Sequence, residues 1–252
     1  MRLGCAEFAV PGETLREKLN FLEQKKLWLE LANDGKKSLV DVKSLLSSYK
    51  VEVRSVQAYR QHEFQLLAAG EKEREMARKH VAETINFAGE IGAEHAVVVT
   101  GYGGPGVEAP ERVLAELLKE FSGAGEERGV KVGLEALGAK TSFLPRVDEV
   151  ATFLKRLSLA NVGIVLDTMH AYSAGENPAE IFERNSPIIT EVQLRDVGSR
   201  APGKGEIDFK KLGKLLRDYS GLLCLEYHPV ENPEKELMEA TSFIGEVISG
   251  AR

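Results

Sequence analysis

Cysteine is almost missing from this chain: Cys5 and Cys224 are the only two in 252 residues. Each sits inside an apolar run, which reads as a pair of buried free thiols rather than a disulfide framework. That usage fits a reducing cytosol. Long hydrophobic runs are missing too. None approaches the ~20 apolar residues that span a bilayer, so no membrane partner is expected. Positive charge is in deficit, with 33 Lys and Arg against 39 Asp and Glu, a net −6. The imbalance removes any general pull toward nucleic acid or anionic lipid. The N-terminal stretch MRLGCAEFAV carries neither the apolar h-region nor the cleavage site of a secretory signal, and a cytoplasmic protein is expected. Linkers, low-complexity tracts and composition shifts are also lacking, which argues for one domain over residues 1–252.

What is present is alternation. Strand-like runs centre on Leu3–Ala6, Leu27–Leu31, Val51–Val56, Ala96–Thr100, Val132–Glu135, Gly163–Asp167, Thr190–Leu194 and Leu222–Glu226. Between them lie stripes at helical spacing, such as Leu15, Leu19 and Leu22, or Val147, Val150, Leu154 and Leu157. Thr14-Leu-Arg-Glu17 has capping-box spacing and marks a helix start. The stripe around Pro178–Glu183 is the shortest. Eight such units in 252 residues predict a single (β/α)8 TIM barrel of the α/β class. The rival, a doubly wound open sheet, normally has a Gly-rich turn after its first strand. Cys5-Ala-Glu-Phe8 cannot form one.

Four of the apolar runs end on a residue able to bind a metal: Glu135, Asp167, Gln193 and Glu226. A run buried on both faces has no packing use for a terminal carboxylate, and burying one is costly unless it is paired or binds a cation. Each residue alone is explained as a helix cap or a partner for Lys or Arg. Four at the ends of neighbouring strands converge on the face of a barrel where active sites form. Three carboxylates and an amide carbonyl offer only oxygen, which favours one hard divalent ion, Mg²⁺ or Mn²⁺, over thiolate-held zinc. Zn²⁺ and Co²⁺ stand as alternatives.

Three motifs then carry a resemblance: Leu166-Asp167-Thr-Met-His170, Pro202-Gly-Lys-Gly-Glu-Ile-Asp208 and Leu225-Glu226-Tyr-His-Pro229. With them the chain resembles, over nearly its whole length, the xylose-isomerase-like TIM-barrel superfamily of sugar isomerases and epimerases. The resemblance implies a divalent metal held by Glu135, Asp167, Gln193 and Glu226. Many members carry His at the position of Gln193. The hydroxypyruvate-isomerase-like branch carries Gln, and the stretch from Gln193 through Asp196 to Arg200 and Pro202-Gly-Lys-Gly is similar to that branch, with Ser199 inserted. His170 resembles a residue that contacts a substrate oxygen, and Arg200 one that binds substrate hydroxyl or carboxylate oxygens. A plain loop histidine and a solvated loop arginine are the ordinary alternatives.

The expected chemistry is isomerisation or epimerisation of a small α-hydroxycarbonyl compound or keto-sugar through an enediolate, with Glu135 and Glu226 as the catalytic proton-transferring pair. A dehydratase using the same chemistry, an abasic-site endonuclease of the same superfamily and a non-catalytic sugar-binding barrel are the other readings. A homo-oligomer is the protein partner that such barrels imply. Among the remaining candidates, Lys204 is placed to meet an anionic group, His62 and His228 near the pocket, and His80 and His95 in the framework. Glu30, at the end of the second strand, is expected to pair with a nearby base.

Overall fold

The computed structural model describes residues 3–251. Eight strands run in chain order: β1 (Leu3–Ala6), β2 (Trp28–Asn33), β3 (Val53–Ala58), β4 (His95–Val99), β5 (Lys131–Glu135), β6 (Val162–Asp167), β7 (Ile189–Leu194) and β8 (Leu222–Leu225). Each pairs in parallel with the next and β8 returns to β1, closing a (β/α)8 barrel. Nine helices surround it among the described residues: α1 (Leu15–Lys25), α2 (Leu39–Leu46), α3 (Glu71–Glu90), α4 (Pro110–Glu126), α5 (Val147–Leu157), α6 (Thr168–Ser173), α7 (Pro178–Asn185), α8 (Phe209–Leu216) and α9 (Pro233–Ser249). None of them is long and apolar enough to cross a membrane.

The strands sit where the apolar runs predict them, because a parallel strand inside helices must be apolar on both faces. β2, β4 and β6 are buried at every position. The outward faces meet the helical stripes in one continuous core that includes Leu19, Val81, Leu114, Val150, Leu212 and Leu237. The inward faces divide into a floor and a rim. Trp28, Ala6, Leu222 and Cys224 form a small apolar plug of their own. It is tight enough that a Cβ on Gly4 would lie 2.1 Å from the Trp28 ring. Both cysteines are free and buried, as expected.

Helix starts place the rim. The capping box at Thr14 forms with Glu17, and Ser38, Asn177, Asp208 and Asn232 cap α2, α7, α8 and α9. Asp167 does two jobs: it ends β6 and caps α6, a six-residue helix with no counterpart in the sequence stripes. Two register shifts, at Leu29/Glu30 in β2 and Ile164/Val165 in β6, set which side chains turn inward above them.

The Pro202-Gly-Lys-Gly motif proves to be built around Asp196, which is fully buried. Its Oδ1 accepts from the backbone N–H of Val197 (2.9 Å) and Ile207 (3.1 Å), and its Oδ2 from Gly203 (3.1 Å) and Gly205 (2.8 Å). A Cβ on Gly205 would stand 2.3 Å from that carboxylate, so glycine there is a matter of space. Lys204 points out to Glu239 at 2.7 Å, so it serves the surface rather than an anionic ligand. Asp196→Ala strands four backbone N–H groups, that of Ile207 buried, and is expected to cost about 3 kcal/mol, read as a lowered urea midpoint. A variant within ~1 kcal/mol of the parent would show that the carboxylate does not organise the loop.

Candidate active site

Strand ends β5 to β8 place four side chains at the rim, all almost fully buried: Glu135, Asp167, Gln193 and Glu226. Asp167 and Gln193 are register partners across β6 and β7. Three of the four share a pattern, in which one end is tied into the fold and the other faces the rim. Asp167 Oδ1 accepts from the backbone N–H of His170 at 2.7 Å, and its Oδ2 faces the Arg195 guanidinium. Glu226 Oε1 accepts from Gln57 Nε2 at 3.2 Å, and its Oε2 lies 3.4 Å from the same guanidinium. Gln193 Nε2 donates to Glu30 Oε2 at 3.0 Å, leaving the carbonyl Oε1 without a partner. Buried polar atoms are nearly always satisfied, so one unpartnered carbonyl beside carboxylates that share a single guanidinium leaves room for a further ligand.

Arg195 is the cation the protein itself brings to this place. Its guanidinium hydrogen-bonds Asp167, and lies 3.4 Å from Glu226 Oε2 and 4.0 Å from Glu135 Oε1. Sequence reading missed it, although the signal was there. Glu191, Gln193 and Arg195 alternate along β7 and its continuation, and alternate residues share a face. Arg200, expected to bind substrate, lies elsewhere. Its Nε donates to Val197 O at 3.2 Å, and it lines a separate surface cleft with Lys204, Glu231 and Glu239. The physical reason is the loop: the Asp196–Arg200 bridge turns the chain away from the rim after Arg195.

His170 does reach the pocket. It sits on α6, 2% exposed, with Nε2 3.7 Å from Glu135 Oε1 and Nδ1 without a partner. Glu135, Asp167 and His170 can each present one ligand atom within 4.8 Å of the others. The pocket above them is about 140 Å³, with Gln57, Tyr59, His62, Tyr102, Lys140 and His228 also on its walls. That is well below the roughly 300–1,000 Å³ of drug-sized sites and suits a small ligand. A larger cleft of about 710 Å³ opens at the opposite end of the barrel, between Arg54, Lys131, Phe182 and Tyr219. It is remote from the carboxylates, and the chemistry of the site, not the volume, decides between the two.

Charge follows from the same geometry. Burial lifts Glu135 well above the usual carboxylate range, and the charges of Glu226 and Asp167 add to the effect. Glu226 is also lifted, first by burial, with Arg195 opposing. Asp167 goes the other way: against its burial, Arg195 and His170 hold it down to about 2. Burial lowers His170 to about 4, so its imidazole is neutral at neutral pH. Three carboxylates against one guanidinium leave two negative charges when all are ionised. A divalent cation matches that remainder, and the rim oxygens of Asp167, Gln193 and Glu226 match its taste for hard donors. The residues present therefore fit a divalent metal.

Below the rim the barrel axis holds a second polar layer. Glu30 was expected to end β2 beside a base. Instead β2 continues to Asn33, and Glu30 lies in its middle against Gln193 and Cys224. Glu191 accepts from Ser55 Oγ (2.8 Å) and lies 2.8 Å from His95 Nδ1. His95 Nε2 in turn meets Thr190 Oγ1 at 2.7 Å. His80 is structural as expected, with Nε2 2.9 Å from Tyr59 O and its ring stacked on Phe64.

Comparison with known proteins places this arrangement. The model of the xylose isomerase-like TIM barrel family matches residues 11–247. A D-psicose 3-epimerase of Enterocloster bolteae is 29% identical over 112 residues, which is 43% of this chain and 37% of the relative. The chain thus matches little more than a third of that relative's length. Among solved structures, 3-keto-D-glucoside 4-epimerase from E. coli in its apo form superposes with a TM-score of 0.85 at 18% identity, covering 97% of this chain and 99% of that one. The IolI protein with a bound zinc atom gives 0.83 at 18% identity, covering 99% of each chain. At such identity the structural likeness shows the fold. The family model spans nearly all of the sequence, and the chain belongs to the xylose isomerase-like TIM-barrel family.

Proposed function

We propose that this protein is a divalent-metal-dependent isomerase or epimerase of a small keto-sugar or α-hydroxycarbonyl compound. The observation that carries the reading is a buried rim on which three carboxylates, Glu135, Asp167 and Glu226, and the unpartnered carbonyl of Gln193 share one guanidinium, that of Arg195. The names of the E. bolteae relative and of the E. coli neighbour, both epimerases, support the reaction class. The zinc in the IolI structure supports a metal in such a barrel.

Glu135, Asp167, Gln193 and Glu226 would hold the ion, with Mg²⁺ or Mn²⁺ best suited to an all-oxygen set. When bound, the ion supplies positive charge against the negative charge that develops on the substrate's oxygens. The chain's own residues do the rest. Glu135 and Glu226 stand on β5 and at the end of β8, and both approach the Arg195 guanidinium. One removes the proton beside the carbonyl and the other returns a proton to the neighbouring carbon or to the opposite face. Their proton affinities, lifted above the usual carboxylate range by burial, suit carboxyls that must both take and give protons. Neutral His170 orients a substrate hydroxyl, and Arg195 adds fixed positive charge beside the developing enediolate. The small pocket, about 140 Å³, leaves little room for water beside that intermediate.

The test is deuterium uptake from solvent at the carbon next to the carbonyl, screened over three- to six-carbon ketoses and aldoses with Mn²⁺ or Mg²⁺. Exchange is expected with at least one sugar, and Glu135→Gln and Glu226→Gln should each lower it about 10²–10⁴-fold. Full exchange in both variants would end the two-glutamate mechanism. Cleavage of abasic DNA with no sugar exchange would point to the endonuclease reading instead.

A pH prediction follows from the same groups. Glu30, Glu135, Glu191 and Glu226 have folded affinities above their unfolded ones, Glu191 at about 7, all with burial as the first cause. Each stabilises the fold most at low pH and loses that contribution as pH rises through its folded value. His95 at about 3 and His170 at about 4 act oppositely, gaining stability as pH rises to their unfolded value of about 6.5. Below pH ~6.5 the two trends offset one another, and above it only the acids still change. Chelator-treated protein should therefore lose stability in urea melts as pH rises above ~6.5. Millimolar Mn²⁺ should recover on the order of 4 kcal/mol if its Kd is micromolar. A metal-free stability that rises over that range would contradict the assignment of buried, proton-retaining carboxyls.

A further inference from the structure

Glu30 is the buried acid for which the proposed reaction has no use. It is 1% exposed in the middle of β2, just past the register shift that turns it toward the barrel axis. No ion pair reaches it among the described residues; its near neighbours are the Gln193 amide at 3.0 Å, the Cys224 thiol at 3.8 Å and the Glu191 carboxyl, with which it shares a side-chain hydrogen bond. A carboxyl buried without a base is expensive to keep, so its single well-placed donor marks what it does.

We infer that Glu30 is a positioning residue, which grips the amide nitrogen of Gln193 and thereby turns the carbonyl oxygen of that side chain toward the metal position. A glutamine amide fits its pocket equally well either way round, and only its hydrogen-bond partners choose. With the amide reversed, two oxygens would face each other at the Glu30 end and an N–H would face a cation. With the amide as found, the nitrogen meets an acceptor below, and Oε1 is the end without a protein partner. Asp167, the register partner of Gln193, presents its Oδ2 at the same rim, beside the Arg195 guanidinium.

Glu30 is itself held from beneath. Glu30, Glu191 and Cys224 each bring one polar atom within 4.8 Å of the others. Glu191 is fixed by Ser55 Oγ and by His95 Nδ1, both at 2.8 Å, and His95 by Thr190 Oγ1 at 2.7 Å. A line of polar contacts therefore runs from the floor of the barrel, through β4, β7 and β2, to one side chain at the rim. Carboxylates in this role are known to orient metal-binding side chains, and their loss typically weakens metal affinity about 10–100-fold.

The inference rests on the proposed ligand role of Gln193, and the test separates the two. Mn²⁺ affinity of chelator-treated protein is measured by electron paramagnetic resonance for the parent, Glu30→Met, Glu30→Gln, Gln193→Ala and the Glu30→Met/Gln193→Ala double variant. Glu30→Met keeps the volume, removes the acceptor and should raise the Mn²⁺ Kd about tenfold or more. Glu30→Gln retains a carbonyl acceptor and should stay within about threefold of the parent, a rescue that separates positioning from packing. In the Gln193→Ala background, Glu30→Met should have no further effect. An unchanged Kd in Glu30→Met overturns the positioning role, as does an equal loss with and without Gln193. An unchanged Kd in Gln193→Ala overturns the ligand reading itself, and the inference falls with it.

Discussion

The constraint on which the structure turns is the burial of three carboxylates at one place on the barrel rim. Glu135, Asp167 and Glu226 are each 4% exposed or less. Charges so placed repel one another and have lost their water, which is a cost of several kcal/mol per ion unless compensated. The fold compensates in parts. Arg195 contributes one positive charge, the α6 N-terminus binds one oxygen of Asp167, and Gln57 binds one of Glu226. What remains, when all three are ionised, is a deficit of positive charge beside the unpartnered carbonyl of Gln193. In the proposed function a divalent ion would fill that deficit and, with it, meet vicinal oxygens of a sugar.

The barrel explains why the deficit can persist. Strand closure fixes β5 to β8 side by side, and the outer core of Leu, Val and Ile against the helices supplies the stability that the polar axis does not. Inside the barrel the apolar plug around Trp28 fills part of the floor, beside the buried polar contacts of His95, Glu191 and Glu30. The layers then divide the work: plug, supporting contacts of His95, Glu191 and Glu30, and reactive rim. Site chemistry at the strand ends and stability below is the usual division in this architecture.

Much of this was legible in the sequence, for reasons that also explain what was not. Strand positions showed because a parallel strand is apolar on both faces, and the four rim residues stood out as the polar ends of such runs. His170 was placed by its distance from Asp167. Arg195 escaped because the eye stops at the end of an apolar run, although the two-residue alternation from Glu191 continues through it. Arg200 was misplaced because a loop's direction depends on Asp196 gathering four backbone N–H groups, which no local pattern encodes. Glu30 was read as a strand end with a basic partner. Its true neighbours come from β7 and β8, and the pairing across the barrel exists only once the cylinder has closed with its particular register shifts.

The most direct test is to locate the ion. Anomalous diffraction from crystals grown with Mn²⁺ is expected to show one peak per chain, bonded to free oxygens of Glu135, Asp167, Gln193 and Glu226 at about 2.0–2.6 Å. A rim with no peak there under saturating Mn²⁺, and Arg195 as the only cation among the carboxylates, would contradict the account at its root.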